Sequence, residues 1–215
     1  MKTNAKRAVF IAADITAAVL IILSAVFGIF TTEGRLWMSG AYRFVFFTVD
    51  SNILAALSAL ILLPFKIRRL KTGKPLPRAA ITLSLISVSA VTVTFLTVLL
   101  FLGPVFGFGS MYTGNNLWLH MVCPLLCIAS YVFDSESEGR VKAPYTLLSV
   151  LPTVVYGAVY FIMVIVVGQK NGGWADFYGF NMGGRWYISM AAMLAASYLT
   201  GLGLWAAERL CSKKK

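Results

Sequence analysis

The sequence predicts an all-α protein in which six membrane-spanning helices form one domain over residues 1–215. Two observations support this fold class. Of the 215 residues, 59% are hydrophobic and only 13% are charged, whereas soluble domains carry about a quarter charged residues. The hydrophobic residues also fall into six runs, each long enough to cross a bilayer at roughly 20 residues per helix. No segment is long or polar enough to form a separate soluble domain.

The predicted spans follow the ends of the apolar runs. The first run comes after a basic segment, Met1–Arg7, that resembles the start of a signal peptide. It is longer than a usual signal-peptide core and no convincing cleavage site follows, so we expect it to remain as a helix. The predicted spans are Ala8–Phe30, Phe44–Phe65, Ala79–Leu102, Asn116–Phe133, Tyr145–Val167 and Trp186–Ala207.

The distribution of lysine and arginine predicts the orientation. Fifteen of the 19 basic residues fall on one side, in the N-terminal segment, the loop Lys66–Arg78, residues 140–142 and the C-terminal segment. The other side holds Arg35, Arg43, Lys170 and Arg185. The positive-inside rule therefore predicts that both termini are cytoplasmic, and we expect a multi-pass protein of the cell (plasma) membrane. The net charge of +11 then reflects topology and contact with anionic lipids, not nucleic-acid binding.

Two polar clusters lie inside predicted spans. The segment 46–52 (FFTVDSN) opens the second span, and His120, the only histidine, lies near the start of the fourth. Both spans run from outside to inside, so Thr48 and His120 lie roughly 6–8 Å below the outer boundary. Thr48, Ser51 and Asn52 share one helix face because they are spaced by three and four residues. An ionisable group at membrane depth is costly unless it is paired or used.

A hydroxyl and an imidazole at one depth predict nucleophilic catalysis. A threonine hydroxyl needs a base, and a neutral imidazole can serve as one. We therefore expect the Thr48 hydroxyl within direct or one-water reach of the His120 ring, with Ser51 and Asn52 facing the same cavity. The alternative for His120 is a hydrogen bond that packs two helices, as small polar residues commonly do. Because Pro124 lacks an N–H, we expect the His120 carbonyl to lose its helical donor and the helix to kink.

Other residues near the outer boundary are supporting candidates. Asn52, Asn116 or N–H groups at a helix start could stabilise an oxyanion. Arg43 and Arg185 could bind a lipid carboxylate, or could only contact lipid headgroups. Trp118 is expected near the rim of the cavity.

The remaining polar residues leave alternatives open. Asp14 and Asp50 could relay protons or could hydrogen-bond to serine or threonine on another helix. His120, Cys123 and Cys127 share a face, but one histidine and two thiols are an incomplete ligand set. We therefore predict no metal and no other cofactor. We also predict no disulfide, because no cysteine lies in an outer loop.

The predicted outer loops are rich in glycine and aromatic residues. They hold 12 of the 18 glycines. Four of the five tryptophans lie at or beside this boundary, namely Trp37, Trp118, Trp174 and Trp186. These residues suit an aromatic belt at the membrane interface, or a lid over a cavity in the outer leaflet, and the two can coexist.

FFTVDSNIL in the second span and NNLWLHMVCPLL in the fourth resemble the androgen-induced protein family, which includes the androgen-dependent TFPI-regulating protein and a bacterial branch. The resemblance covers Phe44 to Asn181 and ends in the aromatic loop DFYGFN. Animal members are six-span threonine hydrolases that cleave fatty acid esters of hydroxy fatty acids. The resemblance thus implies that Thr48 and His120 are a catalytic pair. The TVDSN spacing is of the bacterial type and DFYGFN lacks the family's proline, so the substrate is left open.

The predicted function is threonine-type hydrolysis of a lipid ester in the outer leaflet, with membrane lipids and the lipid ester as partners. The alternative is a non-enzymatic membrane protein: a small-molecule or proton-coupled transporter, or a lipid-binding subunit. In a transporter, Asp14, Asp50 and His120 would form a proton path. The polar cluster lies toward the outer face rather than at the midplane, which favours chemistry on a lipid. No oligomeric state follows from the sequence.

Overall fold

The computed structural model describes residues 2–30, 40–134 and 141–213, which contain no strand. Six long helices, each long and apolar enough to cross a membrane, coincide with the six predicted spans. Their bounds are α1 Lys2–Phe30, α2 Phe47–Thr72, α3 Arg78–Phe106, α4 Asn115–Phe133, α5 Ala143–Val167 and α6 Trp186–Lys213. Shorter helical segments are Gly40–Val45, Phe108–Met111 and Gln169–Asn171. Residues 31–39 of the first predicted outer loop, with Arg35 and Trp37, and the basic residues Arg140, Lys214 and Lys215 lie outside the described residues.

α2 continues to Thr72 rather than ending near Phe65. It stops at Gly73, whose left-handed φ of 73° lets its N–H donate to the carbonyl of Arg69. Lys66 and Arg69, which the sequence had assigned to a basic loop, therefore lie on the helix. They are only 6% and 2% exposed. Long basic side chains this deeply buried require partners.

A buried ion cluster supplies those partners. Lys66 Nζ lies 2.5 Å from Asp14 Oδ2 on α1 and 3.2 Å from Asp134 Oδ2 at the end of α4, and it donates to Ser130 Oγ. Arg69 donates to the Asp134 carboxylate and to its carbonyl. The cluster ties α1, α2 and α4 together at what we call the basic end of the bundle. Asp14 thus forms an ion pair with Lys66, a partner that was not considered from sequence, and its role in proton relay stays a prediction.

α3 is the central helix. It contacts α2, α4, α5 and α6, and its residues 87–94 (SVSAVTVT) are all buried. Small and β-branched side chains let neighbouring helices approach closely. In a membrane this matters because close packing, rather than the hydrophobic effect, holds the helices together. Gly201 of α6 has the same role, because a Cβ there would lie 2.1 Å from Ser149 Oγ of α5.

The outside of the bundle is apolar. Large side chains point away from the core, with Leu100 71%, Val155 64% and Leu199 62% exposed. An exposed apolar surface of this extent is costly in water and is compatible with lipid chains. Together with the six long apolar helices, it is the arrangement of a multi-pass membrane protein.

Candidate functional site

His120 lies in a π-helical turn of α4, Trp118–Val122. In this turn the N–H of Cys123 donates to the carbonyl of Trp118, five residues earlier. In the same register Pro124 would donate to Leu119, but proline has no N–H. The carbonyl without a helical donor is therefore that of Leu119, one residue before the one expected for a regular α-helix. π turns often occur at functional positions.

Asn52 supplies the missing donor and joins α2 to α4. Its Nδ2 donates to the Leu119 carbonyl at 3.0 Å and to the Thr48 carbonyl at 2.8 Å. Asn52 is fully buried, and its Oδ1 has no hydrogen-bond partner among the described residues. Since one side chain reaches the backbone of Thr48 and the residue next to His120, the two helices are adjacent at this level.

The His120 ring is held by one backbone contact. Its Nδ1 donates to the carbonyl of Met111 at 2.8 Å, which fixes the ring against the loop between α3 and α4. A neutral imidazole with its proton on Nδ1 has Nε2 as an acceptor. The ring is 8% exposed. No direct hydrogen bond joins it to Thr48 in the described residues, so the expected contact requires one bridging water.

A large cavity of about 1120 Å³ lies between α2, α3, α4, α5 and α6. Ligand pockets generally measure about 300–1,000 Å³, so this one suits a large ligand. Along α6 its lining runs from Ile188 to Ala207, a length of about 28 Å at 1.5 Å per residue. That length nearly equals the roughly 30 Å thickness of a bilayer's hydrocarbon core. Its lining is mainly apolar, with hydroxyls from several threonines.

Thr48 lines this cavity, whereas the other polar residues of its cluster do not. Ser51 turns to α3, where its hydroxyl lies 2.9 Å from the Thr94 hydroxyl. Asn52 turns to α4 as described, and Asp50 is half-buried away from the lining. The expectation that Ser51 and Asn52 face the cavity with Thr48 is therefore wrong. Their side chains diverge because each satisfies a different neighbouring helix.

An aromatic loop, Trp174–Asn181, folds over the end of the cavity opposite the basic end. Its core is Asp176, whose carboxylate accepts the N–H groups of Phe180 at 2.7 Å and Asn181 at 2.9 Å. The same carboxylate accepts the Tyr160 hydroxyl of α5 at 3.0 Å. Phe177 packs on Phe46 just before α2, with ring centroids 4.6 Å apart. This packing favours the lid interpretation of the glycine-rich segment.

Two tyrosines beside Thr48 were missed from sequence. Tyr156 of α5 and Tyr178 of the aromatic loop both line the cavity. The Tyr156 hydroxyl donates to the Val45 carbonyl at 2.7 Å. The Tyr178 hydroxyl interacts with the hydroxyls of Thr48 and Tyr156, and burial raises its pKa to about 12. The only sequence signal was the tyrosine within DFYGFN, which has no fixed distance to Thr48 along the chain.

The other predicted candidates lie outside the cavity lining. Asn116 donates to the Ser110 carbonyl and so holds the loop before α4. Arg43 precedes α2, and its carbonyl accepts the N–H of Phe46. Arg185 is exposed, and its carbonyl accepts the N–H of Ile188 at the start of α6. Trp118 is 38% exposed on α4.

Metal ligation has no support in the described residues, where no group of three or more histidine, cysteine, aspartate or glutamate residues is arranged to hold an ion. Cys123, Cys127 and Cys211 are free thiols. No family model, curated protein or solved structure matches the chain.

Proposed function

We propose that this chain is a threonine-type hydrolase that cleaves a lipid ester, with the acyl chain of the lipid lying in the cavity. The observation that carries the proposal is the position of Thr48, whose hydroxyl lies at the loop-covered end of an elongated, mainly apolar cavity. A lipid chain running along α6 would bring the polar part of the molecule to that hydroxyl.

The reaction needs the His120 ring as a base. The Thr48 hydroxyl attacks the ester carbonyl while His120 Nε2 takes its proton through one bridging water. The imidazolium then protonates the departing alcohol, which leaves an acyl-threonine. Water attacks the acyl-threonine with His120 again as base, and the fatty acid is released. The Nδ1–H bond to Met111 supports this role, because it keeps Nε2 as the acceptor.

The membrane orientation belongs to the same proposal. With both termini cytoplasmic in the plasma membrane, the aromatic loop and Thr48 lie toward the outer leaflet. Substrate would then enter laterally from that leaflet. The resemblance to the androgen-induced protein family supports a substrate similar to a fatty acid ester of a hydroxy fatty acid.

A second candidate function is lipid binding without chemistry. It is favoured by one observation: within the part of the chain that the structure describes, the His120 ring bonds to Met111 and makes no direct hydrogen bond to Thr48. The transporter alternative is less favoured, because Asp14, the inner member of its proton path, is ion-paired with Lys66.

The deciding experiment compares purified protein variants on a long-chain ester of a hydroxy fatty acid. We expect Thr48→Ala and His120→Ala each to abolish hydrolysis while leaving thermal unfolding nearly unchanged. Thr200→Ala is the matched control, because Thr200 also lines the cavity but lies beside Gly201 of α6, nearer than Thr48 to the basic end of the bundle. Hydrolysis that persists in either test variant contradicts the mechanism. Binding of the lipid by a wild-type protein that releases no fatty acid would support the second candidate instead.

A further inference from the structure

Three hydroxyls meet at the loop-covered end of the cavity: those of Thr48, Tyr156 and Tyr178. They differ in where their protons go. The Tyr156 proton is committed to the Val45 carbonyl, 2.7 Å away. The Thr48 hydroxyl and the backbone N–H of Phe47 at the start of α2 act as donors to the Tyr178 oxygen. Among the described residues the proton of Tyr178 itself has no acceptor, so Tyr178 is the hydroxyl of the group that can donate to a ligand in the cavity.

Tyr178 is held firmly in place. Its backbone N–H donates to the Tyr160 hydroxyl at 3.1 Å, and the Tyr160 hydroxyl donates to Asp176 Oδ1. Its ring packs on Tyr160 and Tyr156, with centroids 5.5 Å and 6.5 Å away. Tyr160 is itself only 1% exposed. A donor fixed in this way loses little conformational entropy when it binds a ligand, so more of the hydrogen-bond energy contributes to affinity.

Tyr178 also keeps its proton across the physiological range. Burial raises the pKa of its hydroxyl to about 12, above the usual value of a tyrosine. An un-ionised phenol can donate to a carbonyl oxygen but not to an apolar chain.

We propose that the Tyr178 hydroxyl donates a hydrogen bond to the carbonyl oxygen of an acyl lipid in the cavity and so selects lipids that carry a carbonyl beside Thr48. The inference deepens the proposed function, on whose site it rests, and assigns the recognition of the polar group to the aromatic loop. In the reaction the same bond would strengthen as negative charge develops on that oxygen.

The test uses two non-hydrolysable lipids of equal chain length, a long-chain ketone and the matching ether, so that binding is measured without reaction. The wild type is expected to bind the ketone about 2- to 12-fold more tightly than the ether, the range of one net hydrogen bond. Tyr178→Phe is expected to reduce this ratio to about one, mainly by weakening the ketone complex. Tyr187→Phe is the matched control, because Tyr187 is 57% exposed and does not line the cavity.

A spectroscopic measurement makes the test independent of the variant's folding. In wild-type protein the infrared stretch of a ¹³C-labelled ketone should lie at lower frequency than in detergent alone. An unshifted stretch, equal affinity for ketone and ether in the wild type, or a preference that survives Tyr178→Phe would each overturn the proposal. If the preference depends on Tyr178 but the wild type hydrolyses no ester, the proposed hydrolase function fails and the recognition role stands. If hydrolysis needs Thr48 and His120 but Tyr178→Phe still prefers the ketone, the hydrolase function stands and the recognition role of Tyr178 fails.

Discussion

Replacing Lys66 by methionine removes the positive charge that lies between two buried carboxylates. Asp14 Oδ2 is 2.5 Å from Lys66 Nζ and Asp134 Oδ2 is 3.2 Å from it, with side-chain exposures of 12% and 5%. Asp134 keeps its ion pair with Arg69 in this variant. Asp14 has no other cation contact in the described residues, so its charge is the one left uncompensated.

The expected loss of stability follows from the difference between removing one partner of a buried ion pair and removing both. Removing one partner of such a pair generally costs about 3–5 kcal/mol of stability, whereas removing both partners is often nearly neutral. We therefore expect Lys66→Met to destabilise the protein by about 3 kcal/mol, because Asp14 retains some solvent contact. The double variant Lys66→Met with Asp14→Asn should lie within about 1 kcal/mol of the wild type.

The assay is unfolding in mixed micelles with increasing denaturing detergent, followed by circular dichroism. Arg68→Met is the matched control, because it removes the same charge from the same helix at an exposed position. Its effect should stay within about 0.5 kcal/mol. Equal losses for Lys66→Met and Arg68→Met, or a double variant less stable than Lys66→Met, would refute the assignment of a buried ion cluster.

Two further predictions concern helix contacts. Asn52→Leu removes the donor to the Leu119 carbonyl and should lower the free energy of unfolding by about 1–3 kcal/mol, measured in the same titration; an unchanged midpoint would mean that another group satisfies this carbonyl. Gly201→Ala places a methyl 2.1 Å from Ser149 Oγ and should destabilise by about 1–3 kcal/mol. Gly203→Ala on the same helix meets nothing within 4 Å and should be neutral or stabilising, so equal effects of the two alanines would contradict the packing.

The six helices could be predicted because apolar length alone identifies them, and every predicted span has its helix. The sequence prediction was wrong for Lys66 and Arg69, which it assigned to a loop. Hydropathy and charge-counting rules assign a basic residue to a loop, since an isolated charge is costly in a helix bundle. Here the cost is offset by Asp14 and Asp134, which lie 52 and 68 residues from Lys66 in the chain. Pairing over such distances leaves no local pattern in one sequence.

The candidate site was predictable only in part, for a related reason. Helical spacing correctly puts Thr48, Ser51 and Asn52 on adjacent parts of one helix surface, but that surface meets both α3 and α4. A shared face therefore does not mean a shared cavity. Of these three residues only Thr48 lines the cavity, and the polar residues that line it near Thr48 come from α3, α5 and the aromatic loop.

The contact between Asn52 and Leu119 shows where the usual rule for a proline in a helix applies and where it does not. A proline frees the carbonyl four residues earlier only if the helix keeps its α register. The π turn before Pro124 shifts that register by one residue, so that the carbonyl of Leu119 is freed and Asn52 donates to it. The shift also bears on the proposed hydrolysis. The shift lets α2 and α4 join through Asn52 one turn from Thr48, while the His120 ring remains bound to Met111. Hydrolysis by the proposed mechanism therefore requires a single water that connects His120 Nε2 with the Thr48 hydroxyl across that junction.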